Sequence, residues 1–156
     1  MPITFNPETD LELVRTLNAS PEALYRCWTE ADLLKQWFCP APVTVPKAVL
    51  DPRPGGRFYT LMRLPDGTEL SNDGSYLIAD PAGRIAFTDS LHAGFRPSGA
   101  GFMTAVITFD PSENGTRYVA RVLHATAEDR AKHEEMGFHQ GWDIATRQLE
   151  ALAGTL

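Results

Sequence analysis

Two periods divide the chain. Between Val45 and His124, apolar and polar residues alternate in short runs, the period of half-buried strands. Beyond His124 the period lengthens. Phe138, Trp142, Ala145, Leu149 and Leu152 recur at steps of four, three, four and three, which places them on one narrow helical stripe. The segment 124–156 is therefore predicted as one long amphipathic helix, capped by Thr126 with Asp129 three residues on. Gly137 and Gly141 sit beside the stripe. Glycine in a helix interior costs about 1 kcal/mol relative to alanine, so the pair implies room for a neighbouring backbone or a ligand.

Strands are predicted over 45–50, 57–64, 68–79, 84–90, 102–110 and 116–124, and a further one over 10–18. Turn residues separate them at 52–56, at Pro65-Asp66-Gly67, at 80–83 and at Asn114-Gly115, a strong two-residue hairpin signal. Such short connections make consecutive strands antiparallel neighbours. The Gly/Pro/Ser-rich stretch 94–101 reads as a flexible rim. Between the first two strands, Ser20-Pro21-Glu22 is a helix start, and Thr29-Glu30-Ala31-Asp32 repeats the signal. Two short helices, 23–28 and 33–37, follow from it, ended by the extended linker that Pro40, Pro42 and Pro46 impose.

Alternation assigns faces. With Arg57 and Arg63 toward water, Phe58, Thr60 and Met62 point inward. The same register turns Tyr76 and Ile78, Ile85 and Phe87, Ala105 and Ile107, and Tyr118, Ala120 and Val122 toward the helix. An α+β architecture results, a curved antiparallel sheet holding a C-terminal helix with space between them, in one domain over 1–156.

Composition narrows the class. Fourteen basic against twenty acidic residues give a net charge of −6, which argues against nucleic acid as a partner. No apolar run reaches the length of a membrane span, and the N-terminus lacks the basic-then-apolar order of a signal peptide. Cys27 and Cys39 are then expected as reduced thiols in a cytoplasmic protein.

Several segments together resemble a known group. The opening Ala19-Ser-Pro-Glu-Ala-Leu-Tyr, Cys27-Trp-Thr-Glu and Leu33-Leu-Lys-Gln-Trp-Phe are similar to the START-like (SRPBCC, birch-pollen-allergen-type) superfamily. Asp51-Pro-Arg-Pro-Gly-Gly-Arg-Phe, the strand Arg84-Ile-Ala-Phe-Thr-Asp-Ser and His133-Glu-Glu-Met-Gly-Phe-His-Gln-Gly-Trp142 resemble its bacterial branch named for the activator of heat-shock-protein-90 ATPase. The resemblance runs from about Leu11 to Leu152. It implies a helix-grip fold: a curved seven-stranded antiparallel sheet, two small helices after the first strand, and a long C-terminal helix over a hydrophobic cavity. It implies a structural turn at Gly55-Gly56 and brings no catalytic signature.

The inward residues form the candidate site. From the sheet these are Phe58, Met62, Tyr76, Phe87, Ile107 and Tyr118; from the helix, Phe138, Gly141, Trp142 and Ala145. Trp37 and Phe38, just before the proline linker, are placed as a lid, whereas Trp28 packs its helix on the sheet. Three titratable residues mark a polar rim. Asp89 and His124 continue inward registers on strands with one strand between them, hence about 10 Å apart, and Glu134 falls near the same end. Such groups orient a ligand's polar end or act as acid and base. They equally serve as a solvated rim or as caps for local backbone donors.

Other chemistry lacks its pattern. His133 and His139 are six residues apart, about 120° around a helix, so no His-Glu-x-x-His zinc site forms. The cysteines are twelve apart without a Cys-x-x-Cys pair, and the glycine-rich turns precede neither Gly-Lys-Ser/Thr nor a helix. No metal or cofactor is expected. The leading expectation is binding of a small or medium hydrophobic molecule between sheet and helix. The alternatives are a cyclase- or hydratase-like enzyme using the rim groups, and a chaperone-cofactor-like interaction module, with a homodimer possible through the outer face of the sheet.

Overall fold

Ser20 starts the first helix as its neighbours dictate. Its side-chain oxygen accepts from the Ala23 N–H at 3.1 Å, and Pro21 fills the first helical position, where no N–H is needed. A computed structural model describes residues 4–156; Met1–Ile3, part of the segment read as lacking a signal peptide, lie outside them. The chain runs β1 (Asp10–Leu17), α1 (Pro21–Thr29), α2 (Ala31–Leu34), β2 (Thr44–Leu50), β3 (Arg57–Arg63), β4 (Glu69–Asp80) and β5 (Arg84–Thr88). It continues through β6 (Leu91–His92), β7 (Arg96–Pro97), β8 (Thr104–Ser112), β9 (Gly115–Leu123), α3 (Ala127–Glu135) and α4 (Phe138–Ala153).

Seven strands form one antiparallel sheet in the order β1-β9-β8-β5-β4-β3-β2. Hairpins join β2 to β5 and β8 to β9, and β1 returns to cover the β9 edge. The inner face buries Leu11, Leu13, Phe58, Tyr76, Ile85, Ile107, Phe109, Tyr118 and Val122 against α1 and α4. This is the helix-grip arrangement expected from the sequence, an α+β fold. No helix among the described residues is long and apolar enough to cross a membrane.

Four local expectations are corrected. The predicted single C-terminal helix is two helices. Gly137 adopts φ +94, a left-handed conformation that favours glycine, and it ends α3 and opens α4. The helix-interior penalty that singled out Gly137 is thus never incurred. The buried stripe belongs to α4 alone, and α3 buries none of its side chains. Second, Ile78 points outward. A register shift between Tyr76 and Ile78 pairs Ile78 with Ala86 on the outer face and Ala79 with the inward Ile85. Third, α2 ends at Leu34 rather than at Trp37, and its N-terminal Glu30 makes no side-chain cap. Fourth, the stretch 94–101 is partly ordered as strand: Leu91 pairs with Pro97 and His92 with Arg96. This small hairpin docks on the turn at Gly55, whose carbonyl accepts from the Gly94 N–H at 2.8 Å. A Cβ on Gly55 would lie 2.5 Å from the Phe95 ring. The Gly55-Gly56 turn is therefore structural, since a Cβ on Gly56 would stand 1.8 Å from the Asp51 carbonyl oxygen.

Candidate functional site

Between the inner face of the sheet and α4 lies a cavity of about 390 Å³. Its inner wall is aromatic. Phe58 on β3 and Phe87 on β5 stack with ring centroids 4.3 Å apart and planes 8° off parallel. Trp28 leans on Phe87 at 5.5 Å and on Trp37 at 4.9 Å. From α4, Phe138, Gly141, Trp142 and Ala145 face the same space, and Trp37, Phe38, Met62 and Tyr118 complete the part of the expected lining that reaches the cavity. At Gly141 the nearest atom to a built Cβ is Pro40 Cγ at 3.7 Å, an ordinary contact. A Cβ is accommodated here against the Pro40 side chain, so the missing side chain does not serve to admit a backbone.

Two expected lining residues lie beneath the wall. Tyr76 is fully buried, and its hydroxyl donates to the Trp28 carbonyl at 3.1 Å; Ile107 packs in the core. Both point inward, as alternation required, but behind the cavity floor. Trp37 is fixed rather than lid-like: it is 3 % exposed, and its indole N–H donates to the Cys27 carbonyl at 2.9 Å. The proline linker beside it is held by Gln148 of α4. That amide donates to the Trp37 and Cys39 carbonyls at 2.9 and 2.8 Å and accepts from the Ala41 N–H at 3.0 Å.

The rim triad comes apart. Asp89 does line the cavity, but its Oδ1 accepts from the Phe102 and Met103 N–H groups at 2.8 and 3.1 Å, so it caps the start of β8. His124 is 7 % exposed and bonds behind the wall. Glu134 lies outside the lining. On the outer side of α3 it accepts from Arg130 at 3.1 Å and pairs with His139 at 2.8 Å, and these partners hold its carboxyl below the usual range. The helix break at Gly137 is the reason, because stripe positions counted along one continuous helix do not carry across it. The arrangement assembles no acid–base set from these three residues.

His133 takes the place assigned to Glu134. It lines the cavity, its Nδ1 lies 2.9 Å from His124 Nε2, and Phe102 and Phe138 contact its ring at 5.1 and 5.2 Å. Burial, then the neighbouring His124, pushes its pKa down from 6.5 to about 4. A histidine that is harder to protonate when folded leaves its full stability contribution above pH 6.5 and loses it as pH falls toward 4. Between pH 6.5 and 4.5 the protein should lose about 1 kcal/mol, or a few °C in Tm, once solvent screening of this half-buried ring is allowed for, and His133→Asn should lose much less. Carboxylates with depressed pKa, Glu134 and Asp143 among them, lose their contributions only below that window. Thermal melts across the pH range check this; equal acid sensitivity in both proteins contradicts it.

Other lining residues were not foreseen. Met103 continues the inward register of Ala105 and Ile107, so alternation could have found it. Met136 is 69 % exposed at the helix break and carried no such signal. Thr60, read as inward but not as a site residue, is fully buried in the wall, and its hydroxyl has no hydrogen-bond partner among the described residues. A buried hydroxyl without a partner is destabilising. Thr60→Val should therefore raise stability by about 1 kcal/mol, seen as a higher midpoint in denaturant with an unchanged slope. Cys27 and Cys39 are free and buried, and burial raises both thiols to about 11, which leaves them protonated and poor nucleophiles at neutral pH.

Comparisons with known proteins agree with this fold. The family model described as Activator of Hsp90 ATPase homolog 1-like protein matches residues 18–154. Protein NE0264 of Nitrosomonas europaea is 41% identical over 97% of each chain, with a TM-score of 0.94. An AHSA1 protein from Silicibacter pomeroyi is 26% identical over 91% of this chain and 95% of its own, with a TM-score of 0.69. An AHSA1-like protein from Aeromonas hydrophila is 18% identical over 91% of this chain and 92% of its own, with a TM-score of 0.71, and shows the fold alone. No curated protein matches.

Proposed function

The chain belongs to the family of Activator of Hsp90 ATPase homolog 1-like proteins, and from that premise we propose that it binds a small or medium hydrophobic molecule between sheet and α4. One observation carries the proposal: a cavity of about 390 Å³, within the range of small-molecule sites, walled by stacked aromatic rings and lined on the helix side by Gly141. Burying about 300 Å² of a ligand's apolar surface contributes on the order of 7 kcal/mol before the cost of immobilising it. The polar groups in the wall are few and mostly engaged with their own backbone, so they orient a ligand rather than dominate its affinity.

A thermal-shift screen with fatty acids, aromatic polyketides, flavonoids and sterols tests this reading. A compound at one hundred times its dissociation constant adds about 2.7 kcal/mol, which raises Tm by roughly 5–10 °C in a chain of this size. A selective shift by one class supports the proposal and gives the ligand chemistry. No shift from any class contradicts it.

A further inference from the structure

The two histidines at the end of the cavity form a directed hydrogen-bond chain. His124 Nδ1 lies 2.8 Å from the Thr9 carbonyl oxygen, which can only accept. In the neutral ring that nitrogen therefore carries the proton, and His124 Nε2 is left as an acceptor. His133 Nδ1, 2.9 Å away, must then be the donor of the second bond. Its own proton is thereby fixed on Nδ1, and its Nε2 keeps a bare lone pair. Among the described residues nothing bonds to that nitrogen, although the ring lines the cavity. A backbone carbonyl thus fixes, through two imidazoles, the tautomer of a ring in the cavity lining.

We infer that His133 Nε2 is the anchor for a hydrogen-bond donor on the ligand, so that the cavity selects neutral hydrophobic molecules bearing a hydroxyl group. This rests on the proposed binding role and specifies the ligand's chemistry. A carboxylate offers no proton to that lone pair and would enter an apolar space as an unpaired charge, which disfavours it. An ether or ketone of the same shape offers only a second acceptor. Among the other polar groups on this wall, Asp89 Oδ1 holds two backbone N–H groups and Thr88 Oγ1 is shared among Ser90, Thr104 and the Met103 carbonyl, while the unpartnered Thr60 hydroxyl can donate as well as accept and so sets no such polarity.

The test compares β-naphthol with its methyl ether by calorimetric titration at neutral pH, in the native chain and in His133→Asn. Asparagine can keep an N–H donor for His124 while removing the second ring nitrogen. The native chain should prefer the alcohol on the order of tenfold, the worth of one hydrogen bond, and the variant should bind both equally. Equal binding of both compounds by the native chain overturns the inference and leaves the binding role standing. A preference that persists in His133→Asn overturns it by assigning the hydroxyl to another acceptor, such as Asp89. Failure of both compounds to bind overturns the inference, and the thermal-shift screen then decides the binding role on which it rests. A second readout is independent of the variant's folding. In the ¹⁵N spectrum of histidine-labelled native protein, His133 Nε2 should be unprotonated and should shift when β-naphthol is added. A protonated Nε2 would overturn the assignment.

Discussion

Trp28→Ala should destabilise the protein by about 4 kcal/mol, lowering Tm by about 10 °C, because it removes a fully buried indole from the junction of α1 and the sheet. Trp28 contacts Trp37, Phe38 and Phe87 with ring centroids 4.9, 5.8 and 5.5 Å away. Its N–H donates to the Tyr118 hydroxyl at 3.3 Å, and burial holds that phenol protonated far above its ordinary pKa. Truncation leaves a void that rigid neighbours cannot close, next to a cavity that is already open. Guanidinium melts of the variant check the magnitude. A loss under 1 kcal/mol would mean that the aromatic wall collapses readily and so does not hold the cavity open.

Gly141→Leu should abolish ligand binding, by at least one hundredfold, while leaving the fold intact or slightly more stable. Gly141 lies in the first turns of α4 with ordinary helical backbone, and among the described residues the neighbour that a built Cβ meets from outside the helix is Pro40 Cγ at 3.7 Å. Leucine is favoured over glycine in a helix by up to about 1 kcal/mol, and its side chain would extend into the apolar space a ligand needs. Loss of stability together with loss of binding would show that this part of the wall is packed rather than open. Undiminished binding with an unchanged fold would place the ligand elsewhere. The opposed signs of the two effects separate a cavity from a core.

The strands and their faces were legible because period-two alternation reports directly on which residues are buried. Phe58, Phe87 and Tyr118 fell where the pattern put them. It failed at Ile78, where one extra residue in β4 reverses every later face, and no local composition marks such a bulge. The α4 stripe was read correctly from Phe138 to Leu152, yet the break before it was not. Gly137 has the same signature in sequence whether it thins a helix or ends one; its left-handed backbone distinguishes the two. That one conformation decides the rim, turning Glu134 to the outside with Arg130 and His139 and leaving His133 in the cavity lining against His124. Pairing between residues on different elements carries no sequence period, so the histidine chain was invisible until the fold was known. The orphaned Thr60 hydroxyl was hidden for a related reason: alternation says that a residue points inward, not whether its polar atom finds a partner there.

Whether the space lined by Gly141 takes an apolar guest can be read in one experiment. The most direct measurement is calorimetric titration of β-naphthol at several temperatures, into the native chain and into Gly141→Leu. Burial of apolar surface in the cavity predicts a single site in the native chain whose binding has a negative heat-capacity change, and no measurable heat of binding in the variant. Equal binding by both proteins, or none by the native chain, would contradict it.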